Sequence, residues 1–236
     1  MAPPRRPRKG ADVLAFDRVD RPSLADMAHA SISRSILAGE VPPGTQLKET
    51  HLADQLGMSR APIREAFKRL ADEHLVVERP RYGVFVREFD ADDIADIYNL
   101  RVAIETTAAR LFIRAGASTT PLRALVDEME AAAGRGDTEA VVDAEVRFHQ
   151  TLCDLCGNGY VSAVFRNLQG PIHMAMGMDD RNYVDLDEIV HEHDPVVDAL
   201  EGGDEQVAVA VIAEHITSSV ASVIERLGGD PGRILD

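Results

Sequence analysis

Residues 59–70 read SRAPIREAFKRL, and this stretch decides the fold of the first third of the chain. Ser59 can cap the N-terminus of a helix, and Pro62 falls in the first turn, where proline is tolerated. Apolar residues then recur at spacings of three and four, as in a helix that buries one face. Arg60 and Arg64 are four residues apart, so both project from one side at the start of that helix. The apolar positions are Ile63, Ala66, Phe67 and Leu70.

The segments on either side of this helix complete a winged helix-turn-helix. A first helix is predicted from Ser23 until Gly39, and a second over about 48–56, where Gly57 ends it. After the central helix, two short apolar runs flank the sequence RPRYG and predict a β-hairpin. Such a fold presents its second motif helix to the major groove of DNA. The strand candidates are residues 75–77 and 84–86.

Charge is distributed unevenly along the 236 residues, whose formal net charge is −15. Residues 1–88 contain 15 Lys and Arg against 12 Asp and Glu, whereas residues 89–236 contain 10 against 28. We therefore expect a flexible basic arm over 1–20, a DNA-binding domain over 21–88 and a separate acidic domain over 89–236. A solvated acidic surface explains the acidic half equally well, so charge alone does not assign it a function.

The acidic half shows no convincing strand pattern and predicts a mostly α protein, with an antiparallel all-α bundle of about six helices after the winged module. Four of these helices carry ionisable residues on their apolar faces. Glu145 and His149 share one face at positions i and i+4, while Arg101, His193 and His215 each lie on another helix. A buried arginine needs an anionic partner, and a carboxylate with three imidazoles can bind a divalent metal. A histidine on such a face can also be a hydrogen-bonded core residue.

Other classes of protein are disfavoured. The sequence has no uninterrupted apolar run near twenty residues, and its basic N-terminus lacks the apolar segment of a secretory signal. Cys153 and Cys156 have CxxC spacing, but they lie in a helical pattern outside any βαβ context, so two structural residues are the favoured interpretation. We therefore expect a cytoplasmic protein that does not contact membrane and whose fold does not depend on disulfides.

The N-terminal segments resemble the DNA-binding module of GntR-type bacterial transcription regulators. The resemblance runs from ILAGEVPPGTQLKETHLADQLGMSR (36–60) through the helix at 59–70 to the wing RYGVFV (81–86), and it covers essentially all of 24–87. His74 stands where the family commonly has glycine, at a position that can require a positive φ. The resemblance implies major-groove contacts from the helix and minor-groove proximity for the wing. The implied DNA-binding residues are Ser59, Arg60, Ala61, Arg64, Arg81 and Tyr82.

The acidic half resembles the FCD ligand-binding domain, which follows this DNA-binding module in the FadR subfamily. The matching segments are IYNLRVAIE (97–105), FHQTLCDLCGN (148–158), EHDPVVDAL (192–200) and AEH (213–215). Many members bind a metal through an Asp-x3-His pair and two later histidines. The corresponding residues here are Glu145, His149, His193 and His215.

Glutamate at position 145 departs from that family pattern. Its extra methylene changes the reach of the carboxylate, so Glu145 either binds the metal directly or accepts a hydrogen bond from a ligating histidine. Asp143 lies six residues from His149 and points roughly to the opposite side, so it is a poor substitute. His191 is expected to face away from His193, on the surface. The three histidines disfavour the branch of the subfamily that senses acyl-coenzyme A without a metal.

Together, these features predict a homodimeric transcription regulator that binds a short inverted repeat in double-stranded DNA, and family habit favours repression. Zinc is the expected metal, with nickel, iron or manganese as alternatives. A small organic acid would bind at open metal positions and to Arg101, unless that arginine instead neutralises a buried Asp or Glu. The alternatives are a metal sensor without an organic ligand and a metal-dependent enzyme. We expect no enzyme, because the pattern offers no separate general base or nucleophile.

Overall fold

A computed structural model of the chain describes residues 22–180 and 186–234. The predicted basic arm over 1–20 lies outside the described residues. Three helices and a small sheet come first, and all later elements are helical. The helices are α1 (Leu24–Leu37), α2 (Glu49–Leu56), α3 (Arg60–Asp72), α4 (Ala91–Ala115), α5 (Thr120–Ala133), α6 (Thr138–Leu155), α7 (Gly159–Asp180), α8 (Leu186–His191), α9 (Asp194–Gly202) and α10 (Glu205–Arg226), and a 3₁₀ turn follows at Pro231–Arg233.

The three strands form an antiparallel sheet with the order β1-β3-β2. Strands β2 (Val76–Arg79) and β3 (Gly83–Val86) form the predicted hairpin, in which Val76 pairs with Val86. Strand β1 (Gln46–Leu47) pairs with β3 on its other side. This strand was not predicted, because two residues are too few to show an alternating pattern. The predicted winged helix-turn-helix is confirmed.

Helix α3 buries the face that its apolar spacing predicts. Ile63, Ala66, Phe67 and Leu70 lie in one core with residues of α1 and the sheet. Ser59 occupies the N-cap position with an extended backbone, but its side chain makes no capping hydrogen bond. The positive φ expected after this helix is present, since His74 has a φ of 58°.

The second half forms the predicted helical bundle, with seven helices among the residues that the structure describes. The described residues contain one helix more than the six predicted. The single helix expected to contain Ile189 and Leu200 is instead divided into α8 and α9. His193 is the N-cap of α9 rather than a residue inside a helix. Pro195 explains the break, because proline is tolerated at the start of a helix but removes a hydrogen bond from its interior.

Helix α10 is long and apolar enough in composition to cross a membrane, with a mean hydropathy of 1.8 over its most apolar stretch. Its apolar side is instead packed in the main core of the bundle, largely against α4. A core helix of a globular bundle has the same composition, and His215 lies near its middle. The buried residues of α10 are Ala208, Ile212, Ile216, Val220, Val223 and Ile224.

The winged module and the bundle are in close contact at Gly170, in the middle of α7. A Cβ atom at this position would lie 2.7 Å from the carbonyl oxygen of Glu73 and 2.9 Å from Cδ2 of Leu75. Met174, one turn further along α7, packs against the core of the winged module. The contact therefore places α7 directly against the segment that follows α3.

Replacing Gly170 with alanine should weaken this joint, because the added methyl group meets backbone that cannot move independently. We expect the free energy of unfolding to fall by about 1–3 kcal/mol, as for other overpacked positions. Gly202→Ala is the matched control, because Gly202 is also helical and a Cβ there meets nothing within 4 Å. Urea denaturation of both variants measures the difference, and equal stability of the two would contradict the importance of the contact.

Candidate metal centre and nucleic-acid interface

The residues predicted to contact DNA are all exposed, and they lie in two segments of the winged module. Four are at the N-terminal end of α3, and two are in the turn between β2 and β3. More than half of the Arg60 and Arg64 side chains is exposed, and Tyr82 is 73% exposed. Their contact with the grooves stays a prediction. The six residues are Ser59, Arg60, Ala61, Arg64, Arg81 and Tyr82.

Arg60 and Arg64 of α3 bind the same carboxylate, which the sequence analysis missed. Nε and Nη2 of Arg60 donate hydrogen bonds to Oε2 of Glu49, at 3.1 and 2.8 Å. Nε of Arg64 donates to both oxygens of Glu49 at 2.9 Å. Glu49 is the first residue of α2, so this ion pair joins the starts of the two motif helices.

Three histidines from separate parts of the bundle converge in the interior. His149 comes from α6, His193 from the turn before α9, and His215 from α10. One ring nitrogen from each lies within 4.8 Å of the other two. The Nε2 atoms of His149 and His215 are 3.5 Å apart. The structure therefore brings together the three imidazoles that the sequence placed on inward faces.

Hydrogen bonds from the protein leave specific ring nitrogens available. Nδ1 of His149 lies 2.5 Å from Oε2 of Glu105, and Nδ1 of His193 lies 2.8 Å from the carbonyl oxygen of Ile189. Because both partners are acceptors, each Nδ1 carries the proton and each Nε2 keeps its lone pair. Nε2 of His193 is fully buried and has no hydrogen-bond partner. A water molecule or a metal ion can satisfy a buried polar atom of this kind.

The His193 and His215 imidazoles are held in the neutral form. Burial lowers the pKa of His193 to about 4, against the opposing effect of the Glu145 carboxylate. Burial, together with the neighbouring His193 and His149 rings, also lowers the pKa of His215 well below its usual value. Neutral imidazole is the form that binds metal ions, so these rings do not have to lose a proton first.

Glu105 is fully buried and holds the polar interior together. Its Oε1 accepts a hydrogen bond from Nε of Arg101 at 3.0 Å, while its Oε2 faces His149. Burial would raise the pKa of Glu105, but its contacts with His149 and Arg101 outweigh that effect and lower the pKa. The carboxylate is therefore ionised. Sequence reasoning missed this residue, although its i+4 spacing from Arg101 was visible.

Arg101 is 2% exposed, and its guanidinium also stacks 4.8 Å from the ring centre of Tyr98. Of the two roles considered for this arginine, the geometry shows neutralisation of a buried carboxylate, because Glu105 is its partner. The pair engages only Nε of the guanidinium. Binding of an effector by Arg101 stays a prediction.

The carboxylates near the histidines differ in their partners. Glu145 is buried, and its Oε2 has no hydrogen-bond partner, yet it is not within the group of mutually close ligand atoms. Asp143 instead accepts a hydrogen bond from Nε2 of His173 at 2.9 Å, as expected for a side chain that points away from His149. His191 is exposed, as predicted. Glu145 thus remains the carboxylate candidate for a ligand.

The two cysteines take no part in this site. Both are free and buried, and burial raises the pKa of the Cys153 thiol. A buried thiol with a raised pKa is a poor nucleophile and a poor metal ligand. The geometry therefore agrees with two structural helix residues.

Comparison with known families accounts for both halves of the chain. The model described as "Bacterial regulatory proteins, gntR family" matches residues 24–86, and the model described as "FCD domain" matches residues 96–218. The chain belongs to the GntR family and carries an FCD domain. The resemblance inferred from the two sets of sequence motifs is thereby confirmed.

Relatives of this GntR protein are transcription regulators. A probable D-xylose utilization operon transcriptional repressor of Paenarthrobacter nicotinovorans is 28% identical over 90% of this chain and 94% of its own length. A gluconate operon transcriptional repressor of Bacillus licheniformis is 26% identical over 79% of each chain. A putative GntR regulator from Rhodococcus sp. RHA1 shares the fold, with 23% identity, a TM-score of 0.76 and coverage of 85% of this chain and 97% of its own.

The family assignment fixes the general function. This GntR protein is a DNA-binding transcription regulator and not an enzyme, as the sequence analysis predicted. The exposed arginines at the start of α3 lie in the part that the gntR model matches, and the buried histidine group lies in the FCD domain.

The buried pair of Glu105 and Arg101 should contribute to the stability of the metal-free protein. Glu105→Gln leaves the Arg101 guanidinium buried without a counter-charge, so the free energy of unfolding should fall by about 3–5 kcal/mol. Glu128→Gln is the control, because Glu128 forms a half-exposed pair with Arg147 and its loss should cost about 1 kcal/mol or less. Urea denaturation in the presence of a chelator compares the two, and equal losses would contradict the proposed weight of the buried pair.

Proposed function

We propose that this GntR regulator binds one divalent metal ion at His149, His193 and His215, and that a small carboxylate metabolite bound there controls its affinity for an operator. The observation that carries the proposal is the convergence of three buried imidazoles, one of which presents an orphaned Nε2. Zinc is the first choice, since it prefers nitrogen ligands and needs few of them.

The spacing of the histidines supports a metal. Zinc–nitrogen distances of about 2.0–2.1 Å and tetrahedral angles require ligand nitrogens about 3.4 Å apart. The 3.5 Å between Nε2 of His149 and Nε2 of His215 agrees with that value. In the metal-free protein these two nitrogens can share one hydrogen bond, with the proton on one ring, whereas a bound cation would use the lone pairs of both.

The protein would orient the ligands through a second layer of hydrogen bonds. Glu105 holds the ring of His149, and the carbonyl oxygen of Ile189 holds that of His193. A carboxylate behind a ligating histidine fixes its tautomer and increases its basicity. Three protein nitrogens leave at least one position on the ion for an exogenous oxygen ligand. Glu145 either fills such a position or contacts the group that does.

The chemistry of the site favours an anionic effector. A carboxylate or hydroxyl oxygen suits an open position on zinc, and the free edge of the Arg101 guanidinium suits a second carboxylate oxygen. The operons controlled by the two relatives handle gluconate and D-xylose, which are both small polyhydroxylated molecules. Gluconate is a hydroxy acid and D-xylose is a neutral sugar, so a hydroxy acid fits the site and one of the two relatives.

DNA binding would follow the usual symmetry of such regulators. A homodimer pairs two winged modules with the two halves of a short inverted repeat, and a basic surface on each module binds its half-site. Repression is proposed because both relatives are named as repressors. As a DNA-binding regulator, the protein would act in the cytoplasm.

The metal assignment predicts the outcome of a double substitution. Wild-type protein purified after zinc exposure should contain about one zinc per chain, and the His149→Ala/His215→Ala variant should contain none while keeping its helical circular dichroism. His191→Ala is the control and should retain the metal, because His191 is exposed. Elemental analysis gives the stoichiometry, and a full complement of zinc in the double variant would refute the ligand set.

The effector assignment predicts binding that depends on the metal. In calorimetry against a panel of small hydroxy acids that includes gluconate, at least one acid should bind the zinc-loaded protein and not the chelator-treated protein. That acid should change operator affinity by about 5–150-fold, the usual range of allosteric coupling. Arg101→Lys should lose the acid but keep the zinc. Operator binding that follows zinc alone would favour the metal sensor without an organic ligand.

A further inference from the structure

We propose that Glu49 is a specificity-determining residue of the DNA-binding domain, which positions Arg60 and Arg64 for base reading and suppresses their attachment to non-specific DNA. Glu49 contacts no base in this account. It acts through the two arginines that lie at the start of α3. The proposal rests on the winged module alone and is independent of the metal site.

The geometry is that of a shared clamp. One carboxylate binds two guanidinium groups from successive turns of α3 through four contacts of 2.8–3.1 Å. Hydrogen bonds from Arg64 and then Arg60 lower the pKa of Glu49, so the carboxylate remains ionised at neutral pH. The Glu49 side chain is 28% exposed, against 54% for Arg60 and 57% for Arg64. The clamp therefore lies beneath the two groups that it holds.

The clamp leaves the arginines able to read bases. Arg64 binds Glu49 through Nε and does not use its Nη1 and Nη2 atoms in the pair. Bidentate reading of guanine needs two N–H groups of one guanidinium in the plane of the base. A free arginine side chain must lose about 2 kcal/mol of rotamer entropy to reach such a pose. An arginine already held by Glu49 has lost part of that entropy before it meets DNA.

The charge of Glu49 also affects binding to non-specific DNA. Non-specific binding is driven by the release of counterions as Lys and Arg neutralise phosphates. A carboxylate shared by two arginines reduces the net charge that the start of α3 offers to any phosphate. Base edges still gain directed hydrogen bonds from the guanidinium groups. Glu49 therefore penalises non-specific sites more than it penalises the operator.

Two substitutions separate positioning from charge. Glu49→Gln removes the charge and weakens the clamp, whereas Glu49→Asp keeps the charge but is too short to hold both arginines in their present positions. Asp54→Asn is the control for a lost negative charge on the same helix, because Asp54 is exposed and lies on another side of α2. Circular dichroism and thermal melting verify that each variant is folded.

The experiment first selects an operator from random duplexes with the full-length wild-type protein. Dissociation constants are then measured for this operator and for a scrambled duplex of equal length and composition, over a range of salt concentrations. We expect Glu49→Gln to bind the scrambled duplex more tightly and the ratio of specific to non-specific affinity to fall about tenfold or more. Glu49→Asp should lower the same ratio by weakening operator binding. Asp54→Asn should leave the ratio unchanged.

A second selection from random duplexes, performed with Glu49→Gln, tests whether Glu49 affects base preference through Arg60 and Arg64. The base positions that lose their preference should be those that also relax in Arg60→Lys and Arg64→Lys. If Glu49→Gln tightens operator and scrambled DNA by the same factor, Glu49 contributes only local repulsion and the positioning role is wrong. An unchanged ratio in both Glu49 variants would overturn the whole proposal.

Discussion

The interior of the regulatory domain depends on one buried carboxylate, that of Glu105. It carries a full charge at a position without solvent contact. The contacts with Arg101 and His149 offset the free-energy cost of burying that charge. These contacts tie α4 to α6, and they also decide which nitrogen of His149 faces His193 and His215. The packing of the bundle and the chemistry of its centre thus rest on the same ionic contacts.

From this centre, a continuous series of packed groups leads to the DNA-binding domain. Helix α6 carries His149 and, less than two turns earlier, Asp143, which binds His173 on α7. One turn before His173, Gly170 contacts Glu73 at the end of α3. These contacts connect the helix that carries His149 to the end of α3.

Sequence patterns predicted the elements whose apolar residues recur at a regular spacing. They missed the residues whose role depends on a partner in another element. Apolar spacing was sufficient for α3 and for the inward faces that carry His149 and His215. Glu105 was missed because a glutamate four residues after an arginine is typical of a solvated helix surface. Glu49 was missed for a similar reason, since its partners lie on another helix. The break at His193 required a local effect, Pro195, that a long apolar pattern conceals.

The central claim is that three imidazoles surround one metal ion in the regulatory domain. X-ray absorption spectroscopy of the zinc-loaded protein examines this arrangement directly in solution. The account predicts a shell of nitrogen and oxygen atoms at about 2.0–2.1 Å, with the outer scattering of about three imidazole rings. A sulfur shell at about 2.3 Å, or a spectrum without imidazole scattering, would contradict it.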